Sequence, residues 1–383
     1  MNNDQQRPKR WPISISMTAL LCMAGLVQAM SLAWPFEAMK GAPIGWLQCV
    51  SLVVYAGVLD RCKNKIQAFT AGWVFAFAWL VGSTWWMFIS MHIYGGLPVP
   101  MAMFGVAVLA GGHAVIYAIA AAVFNAMCKT GLGVLSRASA FAALWCLAEI
   151  VRGSILTGFP WGAVGYAHLD SLLQHWAPWV GVYGLCAMSG FIAMAIGAER
   201  RRQIDKTRVV QIGVMIATAV LGYTWFSSPS NVAIEQGRST SPISVTLLQG
   251  NIPQDLKFGE GVDLALRNYK DALLASSSEL TVTPETAIPL IKQQMPEHYW
   301  EALEARFRTG KQAALIGLPL ATRTDQGQLQ YSNSVIALMP QTSAAATASY
   351  QYDKHHLVPF GEFVPPLFQW FVRMMNIPLG DFN

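Results

Sequence analysis

Two residues in the C-terminal part of the sequence have types and positions that suit acid–base chemistry. Glu285 comes directly after Leu280-Thr281-Val282-Thr283-Pro284, a strand-like run stopped by proline, and Lys354 closes a second such run, Ser349 to Asp353. In a dry cleft a carboxylate can act as a general base, and a nearby ammonium can stabilise an oxyanion. Each residue also has a plainer reading. An acid after a strand serves as a turn residue or helix cap, and a lysine there is a solvated surface amine. The pair carries chemistry only if both side chains enter one pocket, and no nucleophile stands beside them. His355 and His356 are adjacent, so their side chains diverge along a strand or turn, and no metal-ligand cluster accompanies them.

The elements that would position this pair alternate in type. Strand-like runs cover 243–249, 280–283, 313–318, 334–339 and 349–353, and helical patterns cover 262–277 and 297–309. In the first helix Val262, Leu266, Tyr269 and Leu273 belong to a broad apolar face, and Gly250-Asn251-Ile252-Pro253 marks a loop after the first strand. The alternation predicts a layered α/β domain, a class that carries chemistry in loops just beyond strand ends.

The sequence before this domain differs in kind. Of 383 residues, 54% are hydrophobic and only 12% charged, against about 25% charged in an ordinary soluble domain. With 14 Trp and 17 Met, this composition indicates a membrane protein. It argues against disorder, a coiled coil, a disulfide-stapled secreted module and a nucleic-acid binder. The charge divides by region: residues 1–227 carry net +8 and residues 228–383 net −3. All six cysteines (Cys22, Cys49, Cys62, Cys128, Cys146, Cys186) lie in the first part. The expected organisation is a transmembrane domain over 1–227 and a second domain over 228–383.

A spanning helix needs about 20 mostly apolar residues. Seven stretches approach that requirement: 12–33, 43–59, 66–90, 98–127, 138–151, 173–197 and 209–227, the fifth being short and the fourth long enough to tilt. Backbone groups in lipid must be satisfied internally, which makes these stretches helices. The first follows Arg7, Lys9 and Arg10 but is longer than a signal h-region, so it reads as an uncleaved anchor. Lys and Arg in alternate flanking segments total 13 against 2. This positive-inside bias places the N-terminus in the cytoplasm and, with an odd number of spans, residues 228 onward on the outer face.

Glu149 and Arg152 stand three apart on one helical face and can pair at a membrane boundary. Gly158-Phe159-Pro160-Trp161 then forms a turn with interfacial aromatics. Two readings stay open: a topological turn with a snorkelling arginine, or part of a lipid-facing platform under the outer domain.

Five stretches carry a family resemblance. LTGFPWGAVGY (156–166), LLQGNIPQDLKF (247–258), TPETAIP (283–289), YSNSVIAL (331–338) and YDKHHLVPFGEFVPP (352–366) are similar, in order and spacing, to the bacterial apolipoprotein N-acyltransferases. These are multi-span membrane proteins with a nitrilase-like domain in the periplasm. The resemblance covers essentially the whole chain. It implies a fold class of an α-helical membrane bundle of about seven spans plus a nitrilase-like αββα sandwich, incomplete here.

The resemblance implies a catalytic Glu at Glu285 and a catalytic Lys at Lys354. It also implies supporting roles for Glu362, in the Pro-Phe-Gly-Glu motif, and Asn333, in the Asn-Ser motif. Phe258 occupies the place of an aromatic that is usually Trp, so any indole hydrogen bond is absent. The family's cysteine nucleophile lies well beyond the Lys, is followed by Tyr-Glu, and precedes a last membrane helix. This sequence ends at Asn383 without them, so the expectation is a C-terminally truncated sequence, inactive as it stands.

The implied activity is transfer of a fatty acyl group from a membrane phospholipid to the N-terminal diacylglyceryl-cysteine of an apolipoprotein, through an acyl-enzyme thioester. It needs no cofactor or metal and no nucleic-acid partner, and its setting is the bacterial inner membrane with the catalytic domain periplasmic. A membrane-tethered amidase or nitrilase is one alternative, and an inactive lipid- or lipoprotein-binding pseudoenzyme is another.

Overall fold

The computed structural model describes residues 12–129, 131–155, 158–198, 242–253, 256, 259–323, 327, 329–340, 350–358 and 362. The chain divides into two compact units, Met1–Arg238 and Ser239–Asn383. The expected boundary near 228 and the expected span 209–227 lie outside the described residues.

The first unit is helical: α1 (Ile15–Leu32), α2 (Gly45–Arg61), α3 (Lys65–Thr84), a short α4 (Trp86–Ile89), α5 (Val99–Cys128), α6 (Val134–Ser154) and α7 (Ala177–Gly197). Local signals explain several starts. Ser14 caps α1 by accepting from Met17 N–H at 3.2 Å, Asn64 caps α3 through Gln67 N–H at 2.9 Å, and proline opens α5 and α7. Five helices among the described residues are long and apolar enough to cross a membrane: Ile15–Leu32, Lys65–Thr84, Val99–Cys128, Val134–Ser154 and Leu172–Gly197. The α2 helix, expected as a span, has 17 residues.

Small residues and aromatics hold these helices together. A Cβ at Gly72 on α3 would come within 2.8 Å of the Ala121 Cβ and 3.0 Å of the Tyr117 carbonyl on α5, so glycine lets the two backbones approach. Tyr55 stacks on Phe75 at 4.3 Å, and Trp145 sits 5.1 Å from Tyr117 and 5.8 Å from Trp79. These rings belong to one buried cluster.

Two expectations about this unit are corrected. The apolar run 66–90 is not one helix: α3 ends at Thr84, and α4 leads into a π-helical turn, Ser90–Tyr94. Nor is the fifth helix short, because α6 spans 21 residues and takes Arg137, Glu149 and Arg152 inside itself, all three buried.

Arg152 does not snorkel. Its Nη2 lies 3.1 Å from Glu149 Oε2, its Nε donates to Tyr117 Oη at 2.8 Å, and its Nη1 donates to the carbonyls of Phe159 at 2.6 Å and Trp161 at 2.7 Å. Tyr117 donates in turn to Glu149, whose other oxygen accepts Val164 N–H at 3.1 Å. A charged residue in an apolar interior must be paired and hydrogen-bonded to be tolerated. Here the pairing also fixes the backbone of the 158–164 turn.

Among the described residues, the second unit is a mixed five-stranded sheet with two α-helices. Its elements are β1 (Val245–Leu247), α8 (Gly261–Ala275), β2 (Leu280–Val282), α9 (Tyr299–Thr309), β3 (Ala313–Arg323), β4 (Leu329–Leu338) and β5 (Gln351–Asp353). The strands lie in sequence order. The first three are parallel, and β3–β4 and β4–β5 are antiparallel. Alternation sets the faces: Ala314, Ile316, Leu318 and Leu320 on β3 are buried, with Leu338 and Ile336 opposite the first two. Leu266 and Leu273 of α8 and Leu303 and Phe307 of α9 pack on that face, each such side chain contributing roughly 1.5–3 kcal/mol on burial. The two parallel crossovers direct the loops after β1 and β2 to the same end of the sheet.

Candidate active site

Glu285 is placed by the loop that leaves β2. Thr283 N–H donates to the Leu315 carbonyl at 3.0 Å, and Thr283 Oγ1 accepts Gly317 N–H at 3.0 Å. The chain rejoins β3 where Ile288 N–H donates to the Gly317 carbonyl at 3.2 Å. Between these points the loop lies flat on β3, which requires a glycine at 317. A Cβ there would stand 2.4 Å from the Pro284 carbonyl oxygen and 3.1 Å from Glu285 Cα. Thr286, the residue after Glu285, has φ 50°, a left-handed conformation unfavourable for a β-branched residue.

Lys354 and Asn333 are placed by the sheet. The β4–β5 register pairs Ser334 with Asp353, and Lys354 N–H donates to the Asn333 carbonyl at 2.9 Å, one rung further. Asp353 anchors that rung by accepting from Ser334 Oγ at 2.5 Å, Ser332 Oγ at 3.3 Å and Gln351 Nε2 at 3.0 Å. The Ser334 hydroxyl, with help from the other two donors, outweighs partial burial and holds the Asp353 carboxyl below its ordinary range.

The structure brings Glu285, Lys354, Glu362 and Asn333 together. Lys354 Nζ lies 3.0 Å from Glu285 Oε1 and 2.9 Å from Glu362 Oε1. Asn333 Nδ2 donates to the same two oxygens, at 2.7 Å to Glu362. Two carboxylate oxygens are thus bridged twice, by a cation and by an amide, which offsets their mutual repulsion. Glu362 is also tied to its own turn, its Oε2 accepting Val358 N–H at 2.8 Å and its N–H donating to the Val358 carbonyl at 2.9 Å.

Exposure separates the four. Asn333 and Glu362 are buried, Lys354 is partly open, and the Glu285 side chain is 60% exposed. Burial alone would lower the Lys354 ammonium, but its bonds to Glu362 and Glu285 outweigh that and hold it above the ordinary lysine value. Burial alone would likewise raise Glu362, yet the Val358 N–H, Lys354 and Asn333 hold its carboxyl below the ordinary value.

A second loop closes in beside Glu285. Gly250 N–H donates to Tyr269 Oη at 3.0 Å, and a Cβ at Gly250 would meet that oxygen at 2.4 Å. Ile252 from this loop and Ala287 from the Glu285 loop share one small apolar cluster with Tyr269 and Ala265. Phe258 lies outside the described residues. His355 meets the edge of the Tyr352 ring at 5.7 Å, both histidines are exposed, and among the described residues neither bonds to the four. Thr283, Gly317 and Asp353 escape a reading of the sequence.

None of the four is a thiol or hydroxyl, so the cluster can take and give protons and stabilise an anion, while a nucleophile must come from elsewhere.

A family model described as the apolipoprotein N-acyltransferase N-terminal domain matches residues 14–195. An apolipoprotein N-acyltransferase of Verminephrobacter eiseniae is 44% identical over 376 residues, covering 94% of this chain and 67% of that protein. One from Ralstonia nicotianae is 37% identical, covering 88% of this chain and 62% of that protein. One from Bordetella bronchiseptica is 34% identical, covering 95% and 70%. The chain therefore spans about two thirds of the length of these relatives.

Proposed function

The chain belongs to the apolipoprotein N-acyltransferase family, and from that premise we propose that its C-terminal unit carries the acid–base half of an acyl-transfer site, with Glu285 as base and Lys354 as oxyanion partner. The observation that carries the proposal is the double bridge, in which Lys354 Nζ and Asn333 Nδ2 both reach Glu285 and Glu362.

In the proposed reaction Glu285 takes the proton of a cysteine thiol, because the thiolate is the reactive form. The thiolate attacks the ester carbonyl of a membrane phospholipid, and the carbonyl electrons move to oxygen. An ammonium has three N–H donors. Lys354 uses two on the carboxylates, leaving one for that oxyanion. Collapse breaks the ester bond, the lysophospholipid leaves with the proton from Glu285, and a thioester remains. The free α-amine of a diacylated apolipoprotein then attacks the thioester. Glu285 takes a proton from the amine and returns it to the departing thiolate. An amide and a regenerated thiol result, with no cofactor or metal involved.

Asn333 has no donor left for substrate, so its proposed role is to hold the two carboxylates in place. Glu362 in turn holds Lys354. The cysteine is the one the family resemblance assigns beyond Lys354, and residues 187–383 contain none. The proposed setting is the bacterial inner membrane, with the N-terminus cytoplasmic and the catalytic unit periplasmic, where both lipid-anchored substrates can reach one site. The helices and the family are those of a membrane protein.

The test is thioester trapping with radiolabelled phospholipid, in a protein that carries the family's cysteine. Wild type is expected to acquire a hydroxylamine-labile fatty-acyl label, and Glu285→Gln is expected not to. Near-normal labelling of Glu285→Gln would overturn the role of the base. Hydrolysis of small amides without labelling would instead indicate an amidase.

A further inference from the structure

A polar cavity of about 290 Å³ lies at one end of the helical unit, where the α2–α3 turn, the last turn of α5 and the first turn of α6 meet. Its size is near the lower bound of ligand pockets and suits a headgroup. Among the described residues, Arg61, Lys63, Lys129 and Arg137 line it with a single acid, Asp60. The lining thus carries a net charge of +3.

Part of this lining is built into the fold. Arg137 is buried and ion-paired with Asp60, the two side chains being 6% and 4% exposed. Asn125, also buried, donates from Nδ2 to the Cys62 carbonyl at 2.8 Å and so satisfies the end of α2. Solvated topogenic charges in loops would need none of this buried framework. Beside the cations the surface turns apolar: Ile66 on α3, Val123 on α5 and Leu135 on α6 are 68%, 42% and 51% exposed.

We propose that this cavity binds the phosphate of an anionic phospholipid headgroup, with the acyl chains lying along the exposed apolar flanks, as a lipid site separate from the acyl-transfer cluster. The exposed Arg61, Lys63 and Lys129 supply the phosphate contacts, as basic pockets between membrane helices do, while Arg137 stays paired with Asp60 and shapes the floor. A free phosphate shares the anionic chemistry but has no use for the apolar flanks, which is why the lipid is the favoured source.

The experiment uses the detergent-solubilised full chain, with thermal unfolding followed on titration with short-chain phosphatidylglycerol, phosphatidylcholine or inorganic phosphate. Phosphatidylglycerol is expected to raise the Tm in a saturable way, and the other two to leave it unchanged. Lys63→Gln with Lys129→Gln, both at exposed positions, is expected to raise the lipid Kd about tenfold or more. Native mass spectrometry of the wild type is expected to show one retained phosphatidylglycerol that the double variant loses. An equal response in wild type and variant would overturn the site. A response produced equally by inorganic phosphate would overturn the lipid as its occupant.

Discussion

The main-chain N–H of Lys354 donates to the carbonyl of Asn333 at 2.9 Å, so the two residues are neighbours on adjacent strands and their side chains reach the same two carboxylates. The sheet register, rather than a flexible loop, therefore sets the spacing between a cation and an amide. Sites built on strands hold their geometry more tightly than sites on loops. Glu285 and Glu362 arrive from turns and are pinned by these two donors.

Replacing Asn333 by alanine should consequently cost activity more than stability. The two carboxylates would keep only Lys354 between them, and misplacement of a catalytic group by about 1 Å can reduce rate by about 10²-fold. Acyl transfer to a lipoprotein peptide should fall by that order in Asn333→Ala, while Asn333→Asp, which adds a third carboxylate, should fall further. Activity in Asn333→Asp equal to wild type would refute the positioning role.

Lys354→Arg is not a conservative change at this site. A guanidinium keeps the charge but has a planar fork in place of three rotatable donors. It can serve the two carboxylates and still misdirect the donor meant for the oxyanion. The expected outcome is loss of most thioester formation with the fold intact by circular dichroism. A variant forming thioester at the wild-type rate would show that charge alone suffices.

How far the site is legible in sequence depends on what each residue does. Glu285 and Lys354 stand out because they end strand-like runs, and the structure puts both there. Asn333 in mid-strand and Glu362 in a turn resemble ordinary ladder and turn residues, and only the family resemblance singles them out. Gly317 is silent because its role is a close approach by a segment some thirty residues earlier, which no local pattern encodes. In the helical unit the run 66–90 reads as continuous because Trp85, Trp86 and Phe88 keep it apolar while the hydrogen-bonding pattern changes beneath them. The 138–151 segment reads short because Arg137 and Arg152 lower its hydropathy, although both are buried in pairs.

Gly317→Ala tests the flat approach of the Glu285 loop. The added Cβ would meet backbone atoms of Pro284 and Thr286 at 2.4 and 3.0 Å, neither of which can rotate away. Overpacking of this kind costs about 1–3 kcal/mol, and the displaced segment carries Glu285. Both a lowered Tm and a disproportionate loss of acyl transfer are expected. A variant with lowered stability and an unchanged rate would mean that Glu285 does not need this loop geometry.

Stability of the second unit should depend on pH at both extremes through one ion pair. Glu362 is held below its ordinary value of 4.5, so its contribution is complete above pH 4.5 and is lost as pH falls through the lowered native value. Lys354 is held above 10.5, so its contribution is complete below pH 10.5 and is lost as pH rises through the raised native value. Solvent screens the partly open Lys354, so the alkaline effect should be the smaller. In urea unfolding across a pH series, Glu362→Gln should be less stable than wild type near neutrality and converge with it as the pH falls through the lowered native value. Parallel curves that never converge would remove the linkage.

The buried pair in α6 gives the prediction with the largest expected effect on stability. Among the described residues Arg152 is the cation paired with Glu149, and it also holds the carbonyls of Phe159 and Trp161. Removing it leaves a buried carboxylate uncompensated and frees the following turn, and breaking such a pair costs about 3–5 kcal/mol. Arg152→Met should therefore unfold at a clearly lower temperature in detergent. The double variant Glu149→Leu with Arg152→Met deletes both charges and should recover much of that loss, while leaving the 158–164 turn without its two donors. If limited proteolysis cut that turn no faster in the double variant than in wild type, the guanidinium would be a charge partner only, with no part in ordering the turn.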